Sequence, residues 1–312
     1  MSTDNARKAV LITGATGKQG GAVIDALLAN HPKLFTILAV TRNPTSASAA
    51  RLAAKSAAIT LVQGDLDDVP ALFSAAAAAS IEPIWGVYSV QVSHGKGVTS
   101  EGEIAQGKAL IDEALKAGVS YFVYSSVERG GEERSWDNET PIPHFQTKLH
   151  IERHLVEATK GSAMSWTILR PVAFMDNLAP GFPSKVFLTA LRDTLGPNKS
   201  MQWVATADIG YFAAEALARP EEYKGKAVGL AGDELTFGQL SDAFERATGY
   251  AAGTTFSFLG STLMYMVAEM GTMVRWFGDE GYSADIGACR EKHPKMMDFE
   301  TWLREKSGWA AK

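Results

Sequence analysis

The chain has 312 residues, 46% of them hydrophobic and 21% charged, with a formal net charge of -5 and a single cysteine, Cys289. That length fits one or two domains with a buried core of ordinary size. The acidic balance excludes a strongly basic nucleic-acid-binding surface. One cysteine excludes an internal disulfide and a cysteine-based zinc site, which fits a reducing compartment.

The start of the chain leads into Ala9–Thr13 (AVLIT), too short for the apolar core of a secretory signal. The longest apolar stretch elsewhere, Phe258–Phe277, is interrupted by Glu269 and Arg275, whereas a membrane span takes about 20 largely uncharged residues. These features predict a soluble, cytoplasmic protein with neither a membrane nor a direct nucleic-acid partner.

Strand and helix signals then alternate. Ala9–Thr13 reads as a strand buried on both faces. A glycine-rich turn and a helix to Asn30 follow, then the strand Phe35–Thr41, a helix over Ser46–Ala58 and the strand Ile59–Gln63. Next come a helix over Val69–Ser80, the strand Ile84–Val90, a helix over Glu101–Ala117, the strand Tyr121–Ser125, a helix over Phe145–Lys160 and the strand Ser165–Leu169. Strand-helix-strand repetition predicts a doubly wound parallel α/β sheet, a Rossmann arrangement over residues 1–171. Residues 201–231 are expected to contribute to it, and 172–312 to form a smaller interleaved lobe. In that lobe Phe174–Ser200 reads as loop with a helix near Lys185–Arg192. Asp208 reads as the N-cap of a helix to Ala218, Ala227–Ala231 as a strand, and Thr236–Thr248 as a helix closed by Gly249. Leu259–Phe277 and Asp298–Lys306 read as further helices.

The strongest motif is Thr13-Gly14-Ala15-Thr16-Gly17-Lys18-Gln19-Gly20-Gly21. Its glycines at 14, 17 and 20 stand between the first strand and the first helix. Gly14 permits the tight turn, Gly17 lets the backbone approach a pyrophosphate, and Gly20 lets helix pack on strand. The helix N-terminus then aims its N–H groups at the phosphates. Thr16, Lys18 and Gln19 complete the predicted cradle. A Walker A loop is excluded, because no Ser or Thr follows Gly17-Lys18.

The end of the second strand distinguishes the two nicotinamide cofactors. An NAD site offers an acidic residue there to the ribose. This chain offers Thr41-Arg42-Asn43, with no Asp or Glu between Leu38 and Ala50. Arg42 suits a 2′-phosphate, which its planar guanidinium can grip with two hydrogen bonds. The predicted cofactor is therefore NADP(H). Asp65 and Leu66, after the third strand, either flank the adenine or, for Asp65, cap the next helix. Ser89 ends the fourth strand on the expected cofactor track.

The glycine loop, Thr41-Arg42-Asn43-Pro44, Gly64-Asp65-Leu66, Tyr124-Ser125-Ser126-Val127-Glu128, His144-Phe145-Gln146-Thr147-Lys148 and Leu169-Arg170-Pro171 occur in the order seen in NmrA-like proteins. Asp208-Ile209-Gly210 and Leu235-Thr236-Phe237 fit the same group, and the chain resembles it over nearly its whole length. These proteins are atypical members of the short-chain dehydrogenase/reductase superfamily. The resemblance implies a Rossmann fold, NADP(H) binding and a smaller C-terminal lobe. It implies no single activity. Some relatives resemble redox-sensing regulators with a protein partner, cytoplasmic or nuclear, and others resemble reductases of small apolar metabolites.

The superfamily's usual catalytic pair is a Tyr and a Lys four positions apart, on one helix face. The lysine binds the nicotinamide ribose and lowers the tyrosine pKa for proton transfer. Lys148 is present, but His144 stands at the tyrosine position. His144 is a substitute acid, a cofactor or substrate contact without chemistry, or an ordinary histidine at a helix start. Lys148 is a cofactor contact, a solvated lysine, or itself the proton donor. Strand alternation lets only one of Tyr124 and Ser125 line the site, and Ser125 is the candidate. Arg129–Pro143 is a long irregular segment that either covers the nicotinamide end or runs over the surface. Met264, Met266, Met270 and Met273 either line a pocket for a flat apolar substrate or fill the core. No convincing metal-ligand pattern is present. The chain thus reads as an NADPH-dependent reductase of a carbonyl, enal or imine, or as a catalytically silent dinucleotide-responsive regulator.

Overall fold

The computed structural model describes residues 7–93, 95, 97–257 and 268–309. The expected α/β alternation is present. The strands are β1 (Lys8–Ile12), β2 (Phe35–Thr41), β3 (Ile59–Gln63), β4 (Ile84–Ser89), β5 (Tyr121–Ser125) and β6 (Ser165–Pro171). Between them run α1 (Lys18–Asn30), α2 (Ala47–Ala53), α3 (Val69–Ala78), α4 (Ser100–Lys116) and α5 (Pro143–Ala158). These six strands run parallel, joined by β9 (Lys226–Leu230) in the order β3-β2-β1-β4-β5-β6-β9. The order reverses direction between β1 and β4, where open α/β sheets bind their ligands.

The residues account for these elements. Ala9, Val10, Leu11 and Ile12 are fully buried, as a strand covered on both faces must be. Helix α1 buries Gly20, Val23, Ile24 and Leu27, the i, i+3, i+4, i+7 stripe of an amphipathic helix. Ser46, Asp68 and Thr99 cap α2, α3 and α4 through their side-chain oxygens.

The chain forms two compact units. The first takes its described residues from Met1–Ser126, Thr147–Leu169 and Ile209–Val228, and the second from Val127–Gln146, Arg170–Asp208 and Gly229–Lys312. Each unit thus draws on several separate stretches of the chain, where the sequence suggested a main division after residue 171. In the first unit, helix α7 (Thr206–Ala218) packs closely on α1. A β-carbon built on Gly210 would lie 2.5 Å from the Ala22 carbonyl carbon. His31, at the C-cap of α1, meets the buried Glu215 carboxylate of α7 at 2.8 Å.

The second unit holds a smaller sheet that the sequence reading missed. Its strands β7 (Ala173–Phe174), β8 (Ser200–Val204) and β10 (Asp233–Thr236) lie in the order β10-β8-β7. They are short, and pairing with strands distant along the chain defines them. The expected helix near Lys185–Arg192 is α6, Phe182–Leu195. Helix α8 (Phe237–Thr248) carries a full capping box from Thr236 and Gln239 and ends at Gly249, whose φ is 83°. An aromatic core joins Phe145, Trp203, Phe244, Trp276, Phe299 and Trp302.

One expectation is corrected here. Asp208 is not an N-cap: α7 begins at Thr206, and the buried Asp208 carboxylate accepts from Met297 N (3.0 Å) and meets His293 Nε2 (3.1 Å). The segment Arg129–Pro143 is firmly held. It contains a short 3-10 turn, Arg134–Trp136, and Glu128 accepts from the backbone N–H groups of Gly130 (3.0 Å), Gly131 and Ser283 (3.1 Å). The late helix is described as Ala268–Asp279, where Met273 packs against the aromatic core, while Met264 and Met266 lie outside the described residues.

Candidate dinucleotide site

The site is built on the carboxyl edge of the sheet in the first unit. Thr13 leaves β1 and ties it to β4: its hydroxyl donates to Val90 O (3.0 Å) and accepts from Val90 N (2.8 Å). The chain then turns sharply through Gly14, whose φ of 59° favours glycine. Gly17 N returns to Gly14 O at 2.9 Å, and α1 begins at Lys18. A β-carbon on Gly20 would lie 2.6 Å from the Gly14 carbonyl carbon and 2.7 Å from Thr13 O. Gly20 is therefore what lets α1 seat on the end of β1.

This turn is open. Gly14, Thr16, Gly17 and Lys18 are exposed, and Gln19 is half-buried. No side chain caps the N-terminus of α1, and its first turn carries no acidic residue. Its N–H groups are thus aimed outward beside a lysine, the arrangement that suits a pyrophosphate. On the neighbouring strand, Arg42 follows β2 directly and is exposed. Among the described residues it makes no ion pair, so its guanidinium is available to an anion.

Beyond β3, Asp65 is exposed and accepts from Asp67 N at 3.2 Å, while Asp68 caps α3. The capping alternative for Asp65 is thereby set aside. Leu66 is half-buried beside it. At the end of β4, Ser89 is buried and its hydroxyl accepts from Gln91 Nε2 at 2.9 Å. At the end of β5, Ser125 is buried and donates to Gln19 Oε1 at 2.6 Å. Tyr88 donates to the same oxygen at 3.3 Å. One amide of the glycine-loop helix thus gathers a serine and a phenol from two strands. Burial pushes the Tyr88 phenol well above its ordinary pKa, with a hydrogen bond to Ser125 opposing. A catalytic tyrosine needs the opposite shift.

Lys148 lies on α5 with its side chain 11% exposed, and its ammonium meets Glu103 Oε1 of α4 at 2.9 Å. Ser125 and Lys148 share no hydrogen bond among the described residues. His144 lies one turn earlier on α5, half-buried, within the second unit, where its ring meets Phe145 edge-on at 4.8 Å. Glu103, Tyr88 and Ser93 are polar members of this region that the sequence reading missed. Glu103 alone carried a signal, as a charge among the inward positions of an otherwise regular amphipathic helix.

The family model for the NmrA-like family matches residues 6–303. The chain belongs to the NmrA-like family. The NmrA-like family domain-containing oxidoreductase hkm9 of Aspergillus hancockii is 29% identical over 258 residues, covering 78% of this chain and 73% of the relative. Among solved structures, NmrA, a negative transcriptional regulator in complex with NADP, aligns with a TM-score of 0.71 at 18% identity, covering 96% of this chain and 95% of that one. An NADPH-dependent quinone oxidoreductase of Escherichia coli, complexed with NADPH, aligns with a TM-score of 0.69 at 22% identity, covering 94% and 98%. At such identities the structural matches establish the shared fold. No described helix is long and apolar enough to cross a membrane.

Proposed function

We propose that this chain binds NADP(H) along the carboxyl edge of its sheet and uses it to reduce a small, largely apolar carbonyl, enal or imine. The observation that carries the reading is Arg42, exposed and, among the described residues, without an ion-pair partner at the end of β2, one strand away from an uncapped, glycine-built helix N-terminus. In this reading Gly14, Thr16, Gly17, Lys18, Gln19 and Gly20 hold the pyrophosphate. Arg42 grips the 2′-phosphate, Asp65 and Leu66 border the adenine, and Ser89 lies along the cofactor track. Lys148 donates to the nicotinamide ribose. When bound, the cofactor supplies a hydride. The chain supplies orientation and a proton: Ser125 orients the acceptor, and His144, one helical turn from Lys148, presents an imidazole suited to proton transfer near neutral pH. The similarity to oxidoreductases, and to structures holding NADP or NADPH, supports this reading.

A second reading has its own support. Position 144 lacks the phenol, the Lys148 ammonium already faces a carboxylate, and one structural neighbour is a negative transcriptional regulator. In that reading the chain binds NADP(H), turns nothing over and presents a surface to a protein partner. NADPH oxidation against a panel of quinones, ketones, enals and imines separates the two. Turnover of any of them supports the reductase, whereas tight NADPH binding with no turnover across the panel favours the regulator.

A further inference from the structure

We propose that Glu103 is a positioning residue, which holds the Lys148 ammonium in place for the nicotinamide ribose; this rests on the NADP(H) reading above. Glu103 lies in the first turn of α4, and its side chain is only 2% exposed. Oε1 takes Lys148 Nζ at 2.9 Å and the Ser93 hydroxyl at 3.0 Å, and Oε2 takes the Thr147 hydroxyl at 2.7 Å. Three donors, from the connection before α4 and from α5, thus converge on one buried carboxylate.

The carboxylate is costly to bury without these partners, so it is no incidental surface charge. Helix packing sets its place. One turn along α4, a β-carbon on Gly107 would lie 2.5 Å from Ile151 Cδ1, and Ile151 follows Lys148 by three residues on α5. Gly107 thus lets the Ile151 side chain pack against α4 one turn from the ion pair. Lysine carries its charge on a flexible four-carbon stem. Pairing with Glu103 selects one direction for that stem and uses one of its three N–H donors, leaving two for ribose hydroxyls. Thr147 and Ser93 fix the carboxylate in turn.

The test measures two ligands on the full chain. NADPH spans the whole site, whereas adenosine 2′,5′-bisphosphate carries the adenine end and no nicotinamide ribose. Glu103→Gln keeps the shape and removes the charge. We expect it to weaken NADPH by roughly tenfold, the scale of one charge-assisted hydrogen bond, and to leave the bisphosphate within about twofold. In a Lys148→Met background the same substitution has no further effect on NADPH, because its route runs through the ammonium. Equal weakening of both ligands, or a full additional loss in the Lys148→Met background, would overturn the proposal. So would unchanged NADPH affinity in a folded Glu103→Gln protein. If the wild-type chain binds no NADPH at all, the NADP(H) reading itself fails. Should Glu103→Gln not fold, Thr147→Val frees one carboxylate oxygen and is expected to show the same selectivity at smaller size; equal effects on both ligands would again refute the role.

Discussion

Gly20 and Gly21 are adjacent in α1, yet the structure gives their replacement by alanine opposite signs. In a helix interior, alanine is favoured over glycine by about 1 kcal/mol. At Gly21 the new β-carbon would meet only Ala15 O, at 3.6 Å, an ordinary contact. Gly21→Ala should therefore stabilise the chain by up to about 1 kcal/mol. At Gly20 the same carbon would stand 2.6 Å from the Gly14 carbonyl carbon and 2.7 Å from Thr13 O. These are backbone atoms of the turn itself, about 1 Å inside the optimal separation. Overpacking of this kind costs roughly 1–3 kcal/mol, which exceeds the helix gain. Gly20→Ala should lower the thermal midpoint and also weaken NADPH, because relief requires α1 to lift from β1 and move the cradle. Differential scanning fluorimetry with and without NADPH reads both effects. A Gly20→Ala protein as stable as Gly21→Ala, with unchanged NADPH affinity, would refute the seating of α1 on Gly20.

Gly107→Val should lower the thermal midpoint strongly, since its side chain would run into Ile151; shortening the neighbour in Gly107→Val/Ile151→Ala should recover part of the loss. Recovery of none would mean that the two helices do not meet there. In the first unit the Tyr121 phenol is pushed up to about 12 by burial, against a hydrogen bond to Thr167, and the Tyr223 phenol to about 12 by burial, with Glu215 adding to it. Both folded values exceed the unfolded value of about 10, so their stabilisation is complete below pH about 10 and is lost as pH climbs through about 12. Tyr121→Phe should flatten the alkaline decline of the thermal midpoint, and an identical pH profile would contradict the assignment. His144→Phe should lower turnover by roughly a hundredfold or more, the scale of general acid catalysis, with NADPH affinity held within a few-fold. Unchanged turnover would remove His144 from the chemistry.

Much of this architecture is legible in the sequence because its signals are local. A strand buried on both faces reads as an unbroken apolar run, as Ala9–Ile12 shows. The glycines at 14, 17 and 20 announce a turn that must approach something closely. Arg42 is visible because a strand end is a fixed place in this fold. What escaped depends on contacts distant along the chain. Glu103 meets a lysine 45 residues away, and nothing in the spacing of α4 reveals that partner. Gln19 gathers Ser125 and Tyr88 across 106 and 69 residues. Asp208 resembled a cap because caps are short polar residues at helix starts, yet its carboxylate serves Met297 and His293, 89 and 85 residues on. Strands β7, β8 and β10 are short, and pairing across the chain defines them more than periodicity does.

The proposed role of Arg42 is to make this site one for NADP(H). Titration of the wild-type chain and of Arg42→Ala with NADPH and NADH tests it directly, at one fixed salt concentration. Wild type should bind NADPH more tightly than NADH. Arg42→Ala should weaken NADPH by roughly 10- to 100-fold, the scale of a bidentate charged contact, with NADH nearly unchanged. Equal wild-type affinity for the two dinucleotides, or equal losses of both in Arg42→Ala, would contradict it.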